Sequence, residues 1–358
     1  MGHRPMWRPW STGTAALYLG RMQLVTGATG IVGSHVLLAC AERGAVRALV
    51  RQGSDRSIVE RIFRHYQGRR ADQLLSLVEW AEGDILDTDA LNEAMRGVRQ
   101  VYHTAAVVSF APGDVRAMQQ VNVVGTANVV NTALDHGVQR LCHVSSTAAI
   151  GEEAPGVART ERSPWNADAH TSVYSRTKHA AELEVYRGIA EGLDAVLVNP
   201  CVILGPGLAG RSSNTLLERL RKGTSFYPPG SNAVVDARDV AHCMLALMDH
   251  GGTGERYLLV GENLSYQRLF TLGGQAFGHK PPSRRLRPWM LNLAWRMEVV
   301  RSAITGARPF ITRATANTAL NQREYDAGKV RALVGHRFHT AQEAVENVCA
   351  FLNGRGAQ

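Results

Sequence analysis

No run of apolar residues in the 358-residue sequence is long enough to cross a bilayer, so a spanning helix is not expected. Cysteine is scarce and scattered: Cys40, Cys142, Cys201, Cys243 and Cys349 stand far apart, mostly in apolar runs. That pattern offers neither a disulfide framework nor zinc-ligand spacing, and it suits buried thiols in a reducing, cytoplasmic compartment. The thirteen histidines form no HExxH motif and no His/Cys cluster, so no metal site is expected. Aromatics make up only 6% of the chain and interleave with no basic stripe. The net charge of +9, from 40 Lys and Arg against 31 Asp and Glu, therefore reads as a solvated basic face and not as a nucleic-acid surface.

The first 21 residues, MGHRPMWRPWSTGTAALYLGR, contain no acid. Their apolar piece AALYLG is too short for a signal-peptide core, and Met6 stands where a myristoylation pattern needs Ser or Thr. Because strand-like sequence begins at Met22, residues 1–21 are expected to be a disordered extension and Met22 a start site.

From Met22 onward, seven apolar runs alternate with helical patterns: QLVTGA, VRALVR, VEWAEGD, QVYHTAA, LCHVSST, AVLVNPCVI and RYLLVGE. Continuous Val/Leu-rich strands separated by helices predict an α/β fold, a doubly wound parallel sheet of the Rossmann type. After Pro200 the alternation breaks into Gly/Pro-rich loops, and DARDVAHCMLALMDHGGTGERYLLVGE returns to the sheet as helix and strand. The expected organisation is a nucleotide domain over residues 22–200 plus 239–261, with a smaller, mostly helical substrate lobe over 201–238 plus 262–358.

The first strand delivers TGATGIVG into a helix. Gly27, Gly30 and Gly33 let the backbone approach a pyrophosphate, whose charge meets the helix amides, with Thr29 and Ile31 beside them in the same cradle. The spacing is G-x-x-G-x-x-G, one residue away from the commoner dinucleotide fingerprint. An acid about 20 residues further on binds the ribose 2′-hydroxyl in NAD sites, whereas an arginine accommodates a 2′-phosphate. Here the second strand ends in Arg51, with Arg47 and Arg56 nearby, so NADP(H) is favoured over NAD(H); the plainer alternative is that Arg51 only points into water.

With TGATGIVG stand GDILD, HTAA, VNVVGTANVV, VSSTAA, YSRTK and NPCVILGPG, in that order. In these motifs the chain resembles the extended short-chain dehydrogenases/reductases, from Met22 to about residue 239. The resemblance implies that Asp84 and Ile85 hold the adenine, that Ala105, Ala106 and Ser145 line the cofactor groove, and that Asn122 supports the sheet and a proton path. It also places Thr147 where the family has its catalytic serine, with Ser146 as the alternative. Pro200 would shape the backbone and the Val202 amide would serve the nicotinamide carboxamide. Asn199 before Pro200 is similar to the dihydroflavonol-reductase and 3β-hydroxysteroid-dehydrogenase branch, and less so to the sugar-nucleotide epimerases.

The chemistry of YSRTK follows from its spacing. Tyr174 and Lys178 are four apart and project from one helix face. A nearby ammonium is expected to lower the phenol pKa, so that Tyr174 exchanges a proton with a substrate oxygen while hydride moves at a nicotinamide. A strand-end hydroxyl would orient the same oxygen.

In the lobe, RPWMLNLAWRMEVVRSAITG carries Trp289 and Trp295 among Leu291, Leu293, Met297 and Val300. It reads as core or subunit interface, or as a greasy substrate mouth in peripheral contact with a membrane, with Arg284, Arg285 and Arg287 facing anionic head groups. The loop FYPPGSNAVVDARDVA is expected to border the substrate, with Asp239 capping the next helix, and Arg211 or Arg219 could meet a diphosphate. Together these features point to an NAD(P)-dependent oxidoreductase interconverting a secondary alcohol and a ketone, a small-molecule enzyme that family resemblance makes a homodimer. The rivals are a sugar-nucleotide epimerase or dehydratase with retained NAD, and a noncatalytic nucleotide sensor or scaffold.

Overall fold

A strand paired on both sides and covered on both faces has no position that must be polar, which is why the seven apolar runs read as unbroken Val/Leu stretches. The computed structural model describes residues 22–168, 171–208, 214–306, 309 and 311–354, so the expected N-terminal extension and Arg211 lie outside the described residues. Its strands are β1 (Met22–Thr26), β2 (Val46–Val50), β3 (Val78–Glu82), β4 (Val98–His103), β5 (Arg140–Val144), β6 (Ala195–Pro200), β7 (Val202–Leu204), β8 (Phe226–Tyr227), β9 (Ser231–Asp236), β10 (Arg256–Leu259), β11 (Glu262–Ser265) and β12 (Arg284–Arg285). The seven expected strands form one sheet in the order β10-β6-β5-β4-β1-β2-β3, with every neighbouring pair parallel. All six residues of β6 are buried.

Helices cover both faces and split the core in two. On one face Val36, Leu37, Phe63 and Met244 join a cluster with Val25, Ala48 and Val198; on the other, Leu91, Val129 and Val185 join Leu24, Val101 and Leu197. The helix Ile31–Ala41 has ten buried residues out of eleven, because Ser57–Gln67 and Ala237–His250 pack against it. The chain runs outward from β1 through β2 to β3 and then returns to the other side at β4. This reversal opens a crevice at the carboxyl ends of β1 and β4, where doubly wound sheets bind ligands.

The remaining elements form a largely helical C-terminal region with two small sheets. β9 pairs antiparallel with β11 and parallel with β7, and β8 pairs with β12. Leu204, Leu220, Val234, Leu269, Phe270 and Val345 pack as its own core. The segment expected to be a loop after Tyr227 is thus mainly strand β9: Pro228, Pro229 and Gly230 make only the bend before it. The cap of helix Ala237–His250 is also corrected. Asp236 accepts the Arg238 N–H at 2.8 Å, while Asp239 faces elsewhere.

Candidate functional site

Gly27 closes β1 with φ of 70°, a conformation that favours glycine. A Cβ there would sit 2.7 Å from the Ala105 backbone, and one on Gly33 would sit 2.2 Å from the Gly27 carbonyl. The turn is therefore packed to the limit between the ends of β1 and β4. Gly30 donates its N–H to the Gly27 carbonyl at 2.9 Å and caps helix Ile31–Ala41 without a side chain, and the first turn of that helix carries no acid. The helix start thus keeps free amides and its positive end, a cradle that fits a diphosphate. Thr29 and Ile31 are half-buried beside it.

Arg51 follows β2 and is exposed. It lines a cavity of about 390 Å³ with Gln52, Glu82, Gly83, Asp84, Asp87 and Ala90. Arg47 is not available to a ligand here: it is bound to Glu79, its partner across the β2/β3 register, and to the Ala94 and Arg96 carbonyls. Arg56 lies over the Trp80 ring at 5.0 Å. Asp84 folds its own turn by accepting the Leu86 N–H, and Ile85 is buried with its carbonyl held by Asn128.

Past β5, Ser146 is the side chain that opposes the effect of burial on the Tyr174 phenol, and Thr147 follows it in the same turn. Ser146 caps the short turn Thr147–Ala149 and accepts the Ala148 N–H at 3.1 Å, whereas Thr147 is buried within that turn. Lys178 is fully buried one helical turn from Tyr174, and its Nζ donates to the Val144 carbonyl at 2.7 Å. Burial holds the ammonium down to about 8, against the opposing pull of Glu182. The expected lowering of the phenol is corrected: burial raises Tyr174, and only the Ser146 side chain works the other way. The ammonium is turned to the Val144 carbonyl. Asn122 lies in a π-helical stretch, Gln119–Val124, where its side chain bridges both backbone groups of Val107 and donates to Thr177 at 3.1 Å. Ala105 and Ala106 lie on the same loop as Val107, with Ala106 exposed. Pro200 ends β6, and Val202 opens β7, where it stands opposite Val234 of β9.

Three groups escaped the reading of motifs. Glu182 continues the four-residue spacing of Tyr174 and Lys178; it is buried, accepts the Asn199 amide at 2.5 Å and Arg256 at 3.2 Å, and is raised by burial. The same Asn199 amide donates to the Ser146 carbonyl at 3.0 Å, so Glu182 holds the serine turn from behind. His103 bridges Thr26 at 2.8 Å and Thr126 at 3.0 Å. Since Thr126 donates its proton to the Asn122 carbonyl, His103 is protonated on Nε2 and accepts from Thr26. Burial, aided by Lys178, holds His103 down to about 3, so it stays neutral. Finally, Asp239 Oδ1 accepts from His336 at 2.8 Å and His339 at 2.6 Å, a trio with metal-capable atoms that no sequence spacing signalled. Burial opposes its charge, but the two histidine hydrogen bonds prevail and hold Asp239 down to about 2.

The model of the NAD dependent epimerase/dehydratase family matches residues 23–260. A relative named sterol demethylase protein B, from Methylococcus capsulatus, is 34% identical over 274 residues, which are 75% of this chain and 78% of the relative. A putative dihydroflavonol 4-reductase of Synechocystis sp. is 29% identical over 341 residues, covering 93% of this chain and 94% of its own. Among solved structures, that of gox2253 matches with a TM-score of 0.76 at 31% identity, across 94% of this chain and 99% of that one.

Proposed function

The chain belongs to the NAD dependent epimerase/dehydratase family, and on that premise we propose that it is an NADP(H)-preferring oxidoreductase interconverting a secondary alcohol and a ketone on a hydrophobic substrate. The observation that carries this reading is the grouping of Tyr174, Ser146 and Lys178 at the sheet's carboxyl edge, with the Phe110 ring 5.7 Å from the Tyr174 ring. The glycine turn and the free amides of helix Ile31–Ala41 would hold the dinucleotide's diphosphate, and Arg51 its 2′-phosphate. When bound, the nicotinamide gives or takes the hydride. Tyr174 then moves the proton at the substrate oxygen, and Ser146 orients that oxygen. Lys178 keeps a positive charge beneath the site. Phe110 and Val108, both exposed on the loop after β4, offer an apolar wall. The names of the two relatives, a sterol enzyme and a flavonoid reductase, agree with a greasy ring system.

The test is a calorimetric titration of nucleotide-free protein with NADP(H) and NAD(H), beside Arg51→Ala, followed by turnover of hydrophobic ketones by wild type and Tyr174→Phe. A charge-assisted contact of about 1.5–3 kcal/mol predicts a loss of roughly tenfold or more in NADP(H) affinity in Arg51→Ala, with NAD(H) unchanged. Protein that cannot be stripped of NAD, and that acts without added nucleotide, would replace this reading with a sugar-nucleotide epimerase. Substantial turnover by Tyr174→Phe would remove the proton-transfer role.

A further inference from the structure

Helix Pro288–Thr305 buries one residue, Leu291. Trp289, Leu293, Met297, Val300 and Ile304 are all exposed, from 50% at Leu293 to 80% at Ile304. Their spacing of four, four, three and four residues confines them to a strip spanning about 80° of the helix surface at ~100° per residue. Leu291 and Glu298 fall on the opposite side, so the strip faces away from the protein body. An apolar strip of this size is not covered by any described element.

The charge around the strip identifies its occupant. Between Lys280 and Arg301 lie six basic residues, Lys280, Arg284, Arg285, Arg287, Arg296 and Arg301, against one acid, Glu298. Lys280, Arg284, Arg285, Arg287 and Arg296 are exposed. On a helical projection Arg296 flanks the strip on one side, where a long side chain can lay its stem along apolar surface and keep its charge in a polar layer, while Arg301 on the other side is paired with Glu298 at 2.6 Å. A second copy of the chain docking here about a two-fold axis would set these cations against themselves. Anionic lipid head groups would neutralise them. No helix among the described residues is long and apolar enough to cross a membrane, which leaves an arrangement lying in the interface.

We propose that helix Pro288–Thr305, with the arginines that precede it, docks the protein on an anionic bilayer surface, the strip from Trp289 to Ile304 entering the head-group boundary. This docking does not depend on which reaction the site performs.

The test is co-sedimentation of the full-length chain with vesicles containing phosphatidylglycerol, against vesicles of phosphatidylcholine alone. Binding is expected to the anionic vesicles and to weaken with salt. Replacing Arg284, Arg285 and Arg287 by Glu should lower it by roughly a hundredfold or more, since each basic residue contributes about fivefold near an anionic surface. The variant Leu293→Glu/Met297→Glu/Ile304→Glu should abolish binding, and the single Ile304→Glu, at the most exposed position, should weaken it without disturbing the fold. Failure of wild type to bind, or equal binding to both vesicle types, overturns the proposal. So does a vesicle-free dimer, seen by analytical ultracentrifugation, that Ile304→Glu dissociates, because a second copy would then cover the strip.

Discussion

Replacing Ser146 and Thr147 one at a time decides which hydroxyl serves the reacting oxygen. Ser146 is held at two points: its Oγ accepts the Ala148 N–H at 3.1 Å, and its carbonyl is pinned by Asn199 at 3.0 Å. Such a preset donor, aimed where charge develops, is worth about 10²–10³ in rate, or about 2.7–4 kcal/mol. Ser146→Ala also removes the cap of the Thr147–Ala149 turn, which costs about 1 kcal/mol of stability. Thr147→Val keeps the shape of a buried side chain and removes only its hydroxyl.

The expected outcome is a drop of about 10²–10³ in kcat/KM for Ser146→Ala and less than about threefold for Thr147→Val. The assay is nicotinamide absorbance on whichever ketone wild type reduces fastest, with thermal midpoints measured in parallel to separate the cap from the chemistry. A large loss in Thr147→Val with near-normal Ser146→Ala would refute the assignment and return the role to Thr147. Equal small losses would show that the phenol acts without a hydroxyl partner.

Gly33→Ala should destabilise the fold by about 1–3 kcal/mol and weaken nucleotide binding, because its Cβ would meet the Gly27 carbonyl at 2.2 Å; Gly113→Ala, whose Cβ would meet nothing within 4 Å, is the control by thermal melting. Acid should destabilise the protein early. His35 is fully buried and burial lowers it from 6.5 to about 4, so the unfolded chain binds the extra proton. Its contribution is complete above pH ~6.5 and falls by about 3 kcal/mol on reaching pH ~4, with His103 acting in the same sense. Thermal midpoints that stay flat from pH 7 to about pH 4 would contradict this. Glu182→Gln removes the charge that raises Lys178. The alkaline limb of nucleotide binding should then move to lower pH, and an unmoved limb would uncouple the two groups.

What the sequence conveyed was whatever depends on pattern along the chain. Seven buried parallel strands have a continuous apolar signature, and all seven were legible. Contacts across the chain were not. Arg47 was read as a neighbour of Arg51, and the β2/β3 register sets Glu79 beside it. Asp239 looked like a cap because a carboxylate ahead of an apolar helix usually is one, yet Asp236 takes that place and His336 and His339, nearly a hundred residues on, take Asp239. β9 was hidden by the two prolines before it, since a strand that pairs at its two flanks with distant short segments has little local signal. Tyr174 and Lys178 do lie on one helix, Val173–Ala190, but spacing says nothing of where Nζ turns.

That last point bears on the chemistry. Burial favours the uncharged form of any acid or base, so it raises a phenol and lowers an ammonium together. Tyr174 and Lys178 show both shifts, and neither is among the groups that shift the other. The phenol is therefore held protonated at neutral pH, while Lys178, at about 8, remains mostly charged. A protonated phenol is a proton donor, and under the proposed function it would suit delivery to a ketone oxygen. Oxidation of the alcohol would first require the phenol to lose its proton, and the group placed to ease that loss is Lys178. Its ammonium would have to leave the Val144 carbonyl or act through a bound ribose. Under the proposed function these shifts would favour reduction, and a bound ribose that drew Lys178 toward the phenol would favour the reverse reaction.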